Sequence, residues 1–339
     1  MVLSKKRQVF DYFANSVGQS RVTVIGDIML DKYYMGEVKR ISPEAPVPVT
    51  RVIEQKNVLG GAGNVAHNLS RLGCQVQLIG VVGQDERKTT LCHLMQSVGM
   101  SEDYLIVSSR RPTTTKLRVI GGHQQMMRLD FEDTDLLSNK LENAVLHKVE
   151  LSLEQGAQCL ILSDYAKGLC TPRLCRKVIR LAHEAGIPVV VDPKGDKWKK
   201  YQGADYITPN LKEVGEALKK TVPNDDNPVV VAAETIRKRF SIGNVIATRS
   251  EHGMSFVGEN QIFHIPTLAQ EVFDVSGAGD TVIAVFSCAL AGKLNVFDSS
   301  YVANVAAGIV VGRVGTYAVS QQELLVALHK IVADKEGKL

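Results

Sequence analysis

The sequence predicts an α/β fold, with a central, mostly parallel sheet covered by helices on both faces and a small β-sheet that forms a lid. The main observation is a series of short β-branched runs, each followed by turn residues and a helical pattern, at 22–25, 76–82, 159–162, 188–191, 206–207 and 245–247. Continuous apolar strands separated by helices are typical of a parallel sheet buried on both faces.

Two segments interrupt this rhythm and predict the lid. Residues 32–53 contain three prolines, which do not suit a central strand. Within residues 104–131, the stretches 113–119 and 124–130 alternate polar and apolar side chains, as antiparallel strands with one wet face do. Because we find no internal repeat, low-complexity tract or interdomain linker, we expect residues 1–339 to form a single domain that carries this lid.

Composition narrows the classes of function. The 339 residues are 45% hydrophobic and 22% charged, which is ordinary for a globular protein. A net charge of +4 predicts no nucleic-acid partner and is compatible with an anionic substrate. The six cysteines lie scattered without a C-x-x-C pair, which indicates reduced thiols. The polar, basic N-terminus and the absence of an apolar run of ~18 residues predict a cytoplasmic protein with no membrane partner.

The strongest local signal is the run Asp-Val-Ser-Gly-Ala-Gly-Asp that ends at Asp280 and precedes an apolar helix. The small residues Gly277, Ala278 and Gly279 let backbone N–H groups approach an anion, and the positive end of the helix dipole adds to the attraction. Asp280 would then accept a hydroxyl proton as catalytic base. The alternative is a glycine-rich turn with Asp280 as helix cap. Asp274 favours the catalytic interpretation, because a cap needs no second acid six residues earlier.

A second polar cluster surrounds Asn210 and Glu213, with Leu211 and Lys212 between them. Asn at the start of a helix with Glu three residues later is a variant of the capping box, and this structural interpretation is favoured. In the functional interpretation the same polar groups hold phosphate and Mg²⁺ through water. The two roles do not exclude each other.

A glycine-rich turn includes Gly60, Gly61 and Asn64. Gly61, Gly63 and Ala66 match the dinucleotide fingerprint G-x-G-x-x-A. However, the preceding run contains two prolines, which suit an edge strand, and no acid closes the next strand at the expected spacing. We therefore interpret the segment as a tight turn that places Asn64 and backbone amides against a polyol. No P-loop sequence occurs.

Charged side chains follow several predicted strands. Asp27 and Asp31 end the first strand, where acids lie at the ligand edge of an open α/β sheet and can accept sugar hydroxyls. Turn acids are the alternative. A group of cations, each of which taken alone suits a solvated surface, could together clamp a phosphate on the substrate; they are Lys116, Arg118, Arg128, Lys167 and Lys194. Asp164 precedes Lys167 and is a candidate for the same site or a simple turn partner. The histidines show no metal-ligand spacing.

These motifs resemble a known family. The run that ends at Asp280 resembles the signature of ribokinase-type (PfkB) carbohydrate kinases, and Gly60 to Asn64 resembles their sugar-site signature. A narrower similarity, to the D-glycero-β-D-manno-heptose 7-phosphate kinases, extends from about residue 20 to about 325. Its segments are 26–33, 40–49, 111–118, 124–132, 163–168, 191–195, 208–211 and 248–251, of which 40–49 is the most discriminating.

The resemblance implies a ribokinase-like fold and an activity. ATP would give its γ-phosphate to the anomeric hydroxyl of heptose 7-phosphate, and the product would be heptose 1,7-bisphosphate on the route to lipopolysaccharide ADP-heptose. It also implies Mg²⁺ and a homodimer that forms through the lid. Because the chain lacks an H-x-G-H motif, we expect no nucleotidyltransferase domain.

The resemblance also assigns site residues. The sugar phosphate would contact Asp27, Asp31, Gly60, Gly61, Asn64, Lys116, Arg118, Gln125, Arg128, Asp164, Lys167 and Lys194. The nucleotide would contact Asn210, Leu211, Lys212, Glu213, Thr248, Arg249, Ser250, Gly253 and Asn304. Asp274 and Ser276, with the loop 313–316, would hold a monovalent cation such as K⁺. The alternatives are another sugar kinase, a sugar-binding regulator without catalysis, and a dinucleotide-dependent oxidoreductase.

Overall fold

A computed structural model describes residues 3–122, 124–269, 271–313 and 315–336. Its strands, in chain order, are β1 (Arg21–Gly26), β2 (Ile28–Ile41), β3 (Pro48–Gly61), β4 (Gln75–Gly83), β5 (Leu105–Ser108), β6 (Thr115–Gly121), β7 (Gln124–Phe131), β8 (Cys159–Ser163), β9 (Val189–Asp192), β10 (Tyr206–Ile207), β11 (Asn244–Thr248), β12 (Met254–Val257) and β13 (Ile262–Ile265). They form two sheets, which we call the large sheet and the small sheet.

The large sheet has the order β5-β4-β1-β8-β9-β10-β11-β12-β13. The strands from β5 to β11 are parallel, and β12 and β13 continue the sheet in antiparallel fashion. The runs of Val, Ile and Leu in β1 and β8 are buried on both faces, as a covered parallel sheet requires. The predicted α/β class is confirmed.

The helices cover both faces of the large sheet. They are α1 (Lys6–Asp11), α2 (Ala62–Arg71), α3 (Glu86–Ser97), α4 (Asn139–Glu154), α5 (Pro172–Glu184), α6 (Leu211–Leu218), α7 (Asp226–Phe240), α8 (Ala278–Ala291), α9 (Val296–Val311) and α10 (Gln321–Glu336). One apolar cluster packs α1–α3 and α8–α10 against one face, and a second packs α4–α7 against the other. Among the described residues, no helix is long and apolar enough to cross a membrane.

The helix that carries Asp280 is central. Eleven of the fourteen residues of α8 are buried, and its sequence is apolar all round after the first turn, as a helix enclosed in a core requires. The first turn packs near α2, and the helix axis lies across β1 and β8. This burial fixes the direction in which the N-terminus of α8 points.

The small sheet has the order β3-β2-β6-β7. Its strands β2 and β6 are parallel, whereas β2–β3 and β6–β7 are antiparallel pairs. It differs from the predicted boundaries in two ways. The first pair of strands extends beyond 32–53, from Ile28 to Gly61, because β2 begins one residue after β1 ends. Residues 105–108, which fall in the predicted segment 104–131, instead pair with β4 in the large sheet.

Candidate active site

The candidate site is a cleft of about 190 Å³ where the carboxyl ends of the parallel strands meet the N-terminus of α8. It is lined by Asp164, Tyr165, Asp192, Pro193, Lys194, Thr208, Asn210, Glu213, Thr248, Gly277, Gly279 and Asp280. This edge of an open α/β sheet is where ligands bind as a rule. Larger hollows formed by the described residues include neither Asp280 nor the N-terminus of α8.

Asp280 lies in the first turn of α8, and its side chain makes no capping bond, since the N-cap is Gly277. The capping alternative is therefore excluded. Nδ2 of Asn64 donates to Oδ2 of Asp280 at 2.6 Å, and the phenol of Tyr165 donates to Oδ1. Burial raises the pKa of Asp280 to about 6, against the lowering effect of the two hydrogen bonds. A buried carboxylate with a pKa just below neutrality suits a general base.

The glycine-rich turn differs in one detail from the expectation. Gly277 has φ +80°, a left-handed conformation that favours glycine, and a Cβ there would lie 3.0 Å from Nδ2 of Asn64. Gly279 faces open space in the cleft. The amide of Ala278, however, donates to the carbonyl of Val275 at 3.2 Å, so in this structure it is not directed at an anion in the cleft.

Asp27, which the sequence predicted to contact the substrate, is bound to the loop that follows β8. Its carboxylate accepts the backbone amides of Tyr165 at 2.9 Å, Lys167 at 3.0 Å and Leu169 at 3.2 Å. Burial raises its pKa and the three amides oppose that effect. Asp27 therefore shapes the loop that follows β8, and its oxygens are occupied by that loop.

Asp31, on β2 of the small sheet, lies near Asp280. Nη1 of Arg118 donates to Oδ1 of Asp31 at 2.6 Å, and Lys116 is the Cα partner of Asp31 across β2 and β6. Gly60 is required opposite them, because a Cβ at Gly60 would overlap Oδ2 of Asp31. Gly61 has φ +56° and leads into α2, which carries Asn64.

The cations of the small sheet share one face with Asp31. The register pairs Asp31 with Lys116, and Arg118 with Arg128, so these side chains alternate with the apolar ones. Burial lowers the pKa of Lys116; the carboxylates of Asp31 and Asp130 oppose that effect, and the positive charges of Lys167 and Arg118 add to it. A bound anion would relieve the repulsion between these partly buried cations.

Two of these cations have partners of their own. Arg128 binds Asp130 through two bonds of 2.9 Å, and Lys167 binds Glu132 at 2.8 Å. Gln125 lies on the exposed edge strand β7, as the Cα partner of Ile120. All three remain on or next to the small sheet, but an incoming phosphate would compete with the carboxylates for Arg128 and Lys167.

Asp164 and Lys194 are placed differently from the prediction. The carboxylate of Asp164 is buried and accepts from Lys200, from the phenol of Tyr201 at 2.6 Å and from the amide of Ala166 at 2.7 Å. It holds a network of hydrogen bonds and also lines the cleft. Lys194 donates to Glu213 at 2.9 Å, within the cleft and on the side of the predicted nucleotide residues.

The predicted capping box at the start of α6 is confirmed. Oδ1 of Asn210 accepts the amide of Glu213, and Oε2 of Glu213 accepts the amide of Asn210, both at 3.0 Å. Both residues also line the cleft, so the two interpretations coexist. Leu211 packs into the apolar cluster below α6, and Lys212 is exposed and close to Glu216; neither lines the cleft.

Asp192, at the end of β9, is a second acid of the cleft. Burial raises its pKa well above the usual range, and the negative charges of Asp280 and Glu213 raise it further. Such an excess of negative charge would be relieved by a divalent cation, which the cleft therefore fits. Within the described ranges, no three His, Cys, Asp or Glu side chains form a ready metal cage.

The segment after β11 separates into lining and supporting residues. Thr248 lines the cleft and forms a bridge with Asn210. Arg249 is buried and holds Asp226 at 2.5 Å and Asn224 at 2.9 Å, so its side chain supports this segment. Ser250 lies in the short 3-10 helix that follows.

Two further predicted nucleotide residues also serve the backbone. Gly253 has φ +78°, and a Cβ there would overlap the carbonyl of Ile265. Asn304 donates to the carbonyl of Pro266 at 2.8 Å and thereby ties α9 to the segment before α8. The backbone conformation of Gly253 and the side chain of Asn304 therefore both shape the chain around residues 265–266.

Asp274 accepts the amides of Ser276 and Gly315, each at 2.9 Å. These hydrogen bonds lower the pKa of the Asp274 carboxyl, although its burial acts in the opposite direction. The structure thus brings together Asp274, Ser276 and the loop 313–316, as predicted, although Val314 of that loop lies outside the described residues.

Sequence reasoning missed Tyr165 as a partner of Asp280 and Lys200 as a partner of Asp164. Tyr165 occurs two residues after β8, at the ligand edge of the sheet, which is a signal that could have identified it. No local signal marks Lys200, because its contact with Asp164 spans 36 residues.

Several curated proteins are similar in sequence to this chain. Curated relatives share 45% identity over 89% of this chain (Methylobacillus flagellatus), 43% over 96% (Geobacter sulfurreducens) and 44% over 92% (Haemophilus influenzae). Each is named Bifunctional protein HldE. The chain spans 62%, 66% and 64% of the length of these relatives, respectively.

Solved structures share the fold at low identity. Ribokinase from Arabidopsis thaliana, complexed with ribose and ATP, has a TM-score of 0.71 and 17% identity over 91% of this chain and 98% of its own. Phosphofructokinase-2 from Escherichia coli, in complex with potassium, has a TM-score of 0.75 and 18% identity over 92% and 99%. The fold is therefore ribokinase-like.

The sequence profile described as pfkB family carbohydrate kinase matches residues 19–323. That range contains both sheets, the cleft and Asp280. An enzyme of this family is a phosphotransferase that binds a sugar and ATP with a divalent metal. This chain belongs to the pfkB family of carbohydrate kinases.

Proposed function

We propose that the chain phosphorylates the anomeric hydroxyl of D-glycero-β-D-manno-heptose 7-phosphate with ATP. The product, heptose 1,7-bisphosphate, would serve the synthesis of ADP-heptose for the lipopolysaccharide core. Support comes from the motifs at 40–49 and 163–168, which are similar to heptose phosphate kinases, and from relatives that share 43–45% identity.

The observation that carries the proposal is the placement of Asp280. Its buried carboxylate, with a pKa of about 6, lies at the N-terminus of α8 and beside the cationic face of the small sheet. In the transfer, the hydroxyl of the sugar attacks the γ-phosphorus and its proton passes to Asp280. The new O–P bond forms as the bond between the γ-phosphorus and the bridging oxygen breaks, and ADP leaves.

The phosphates of ATP would lie in the cleft. Gly277 and Gly279 allow close approach to the positive end of α8, and Lys194 and Thr248 lie on the nucleotide side. Mg²⁺, held through the ATP phosphates near Asn210 and Glu213, would neutralise charge on the phosphates. K⁺ bound at Asp274 and Ser276 would add positive charge next to the glycine-rich turn.

The sugar phosphate would lie between Asp280 and the small sheet. Asp31, Gly61 and Asn64 surround the sugar end. Phosphate on the far end would be held by the cations of the small sheet and its neighbouring loop, namely Lys116, Arg118, Arg128 and Lys167. Lys194 is left out of this group, since it lies beside Glu213.

The small sheet would act as a lid on a single kinase domain and as the contact of a homodimer. Support for the dimer is the apolar face opposite Lys116, where Met127 is 55% and Leu129 is 42% exposed. We further propose a cytoplasmic enzyme that engages neither membrane nor nucleic acid, in keeping with its small net charge.

The test is release of ADP from ATP and Mg²⁺ with D-glycero-β-D-manno-heptose 7-phosphate, sedoheptulose 7-phosphate, fructose phosphates and ribose. We expect the heptose phosphate to give the highest kcat/KM. Preference for another sugar would overturn the substrate and retain the kinase. A folded protein that binds ATP and turns over no sugar would favour a sugar-binding regulator.

A further inference from the structure

Both oxygens of Asp280 are held by side chains of the protein. Asn64, on α2, donates to Oδ2 at 2.6 Å, and the phenol of Tyr165 donates to Oδ1. Tyr165 lines the cleft and contributes the only aromatic side chain among its lining residues in the described part of the chain. A base held at both oxygens cannot rotate away from the acceptor hydroxyl.

The position of Tyr165 depends on the loop that follows β8. Asp27 accepts the amides of Tyr165, Lys167 and Leu169, and Asp164 accepts the amide of Ala166 at 2.7 Å. Ala166 has φ +56°, so the loop adopts a conformation that a non-glycine residue rarely takes without support. Two buried carboxylates at strand ends thus fix the backbone from which Tyr165 projects.

We propose that Tyr165 is a positioning residue for phosphoryl transfer, whose phenol holds Oδ1 of Asp280 while Asp27 holds the loop that presents the phenol. The inference rests on the proposed role of Asp280 as base. Tyr165 keeps its own proton throughout, because burial and the charge of Asp280 raise the pKa of the phenol. The proton of the acceptor hydroxyl therefore goes to Asp280 and not to Tyr165.

The charge environment of Asp280 gives the phenol a measurable effect. Asp31 and Asp192 face the base with negative charge, and Lys116 faces it with positive charge. Burial raises the pKa of Asp280, and the bond from Tyr165 is the largest opposing contribution, ahead of that from Asn64. Loss of the phenol should therefore raise the pKa of the base.

The experiment compares wild type with Tyr165→Phe, which keeps the ring. In ligand-free protein, the ¹³C signal of the Asp280 carboxyl, assigned by its loss in Asp280→Asn, should titrate about one pH unit higher in the variant. The acid limb of kcat/KM should move with it, and kcat at pH 7 should fall about tenfold. Tyr12→Phe is the matched control, because its phenol bonds Cys288 at the other end of α8. It should leave the titration unchanged.

Asp27→Asn provides a second variant. The NH₂ group of the new side chain would face one of the N–H groups of the loop, donor against donor, and this would release Tyr165. The same upward shift of the Asp280 signal is expected. If the titration of Asp280 is unchanged in Tyr165→Phe, the inference is overturned. If Tyr165→Phe does not fold, an unchanged titration in Asp27→Asn overturns it instead. The titration needs no substrate, so its result is independent of the heptose phosphate assignment. That assignment fails if the wild type prefers another sugar.

Discussion

At the scale of single residues, Asp280, the proposed base, carries a thermodynamic cost. Its folded-state pKa of about 6 lies above the ordinary value of 3.8, because burial disfavours the charge. Folding thus favours the protonated form, so Asp280 is most favourable to the free energy of unfolding at low pH. It is lost as pH rises from about 4 through 6. At pH 7 the ionised carboxylate costs about 3 kcal/mol of unfolding free energy.

Asp280→Asn should therefore separate activity from stability. Oδ1 of the new amide can accept from Asn64 and its NH₂ can donate to the phenol oxygen of Tyr165, so both contacts survive without the buried charge. We expect kcat to fall at least about a thousandfold, because no base remains. The unfolding free energy at pH 7 should rise by about 1–3 kcal/mol, as measured by urea denaturation. Near-normal turnover would contradict the assignment of the base.

The pH dependence of the wild type follows from the same carboxylate. The base must be ionised, so kcat/KM should decline as pH falls through about 6. The slope should approach one on a logarithmic plot, because a single proton inactivates the enzyme. Steady-state rates between pH 5 and 8 check this, with saturating ATP. A limb near pH 4 would mean that the carboxylate is less buried in the complex than in this structure.

Gly60 gives a test of packing at the sugar end. A Cβ at this position overlaps Oδ2 of Asp31, so Gly60→Ala must displace the Asp31 carboxylate or the β3 backbone. We expect KM for the sugar to rise about tenfold or more, with KM for ATP nearly unchanged. Gly99→Ala is a control of similar chemistry, because Gly99 has nothing within 4 Å of a Cβ, although its φ of +74° strains alanine. Equal effects of the two variants on sugar KM would contradict the packing argument.

At the scale of elements, the two sheets divide the work. Residues that follow β8, β9, β10 and β11 line the cleft, and the small sheet supplies cations. Arg118→Gln should raise KM for a phosphorylated sugar by about 10- to 100-fold and leave ATP binding unchanged, since Arg118 lies beside Asp31. Arg51→Gln, on the exposed part of β3, is the control. If the Arg118 variant weakens ATP and sugar phosphate equally, the small sheet does not discriminate between them.

The same division explains what the sequence could predict. Strand and helix patterns located the large sheet, and the spacing of small residues before a helix identified Asp280 and its turn. The roles of Asp27, Asp164 and Arg249 could not be predicted, because their partners are backbone amides or side chains brought close by loop geometry. An acid at a strand end looks the same in sequence whether it faces a ligand or anchors the next loop.

At the scale of the whole molecule, the small sheet leaves one face without cover. Its edge strand β7 is exposed along its length, and the alternation that turns Arg128 toward the site turns Met127 and Leu129 away from it. An exposed edge strand with apolar side chains is prone to association, and a second copy of this face would bury both features at once. We therefore expect the wild type to sediment at twice its mass of 37.0 kDa.

The double variant Met127→Glu, Leu129→Glu should sediment as a monomer, because association would bury four unpaired carboxylates across a two-fold interface. Val231→Glu adds a charge to a similarly exposed apolar position on α7 and should leave the dimer intact. Activity of the monomer, measured beside sedimentation, then decides how the lid works. If each lid needs its partner to stay over the cleft, KM for the sugar phosphate should rise while KM for ATP holds, because the small sheet supplies cations to the proposed sugar phosphate site and none to the proposed ATP site. A wild type that sediments as a monomer, or a double variant that remains dimeric, would contradict the assignment of this face.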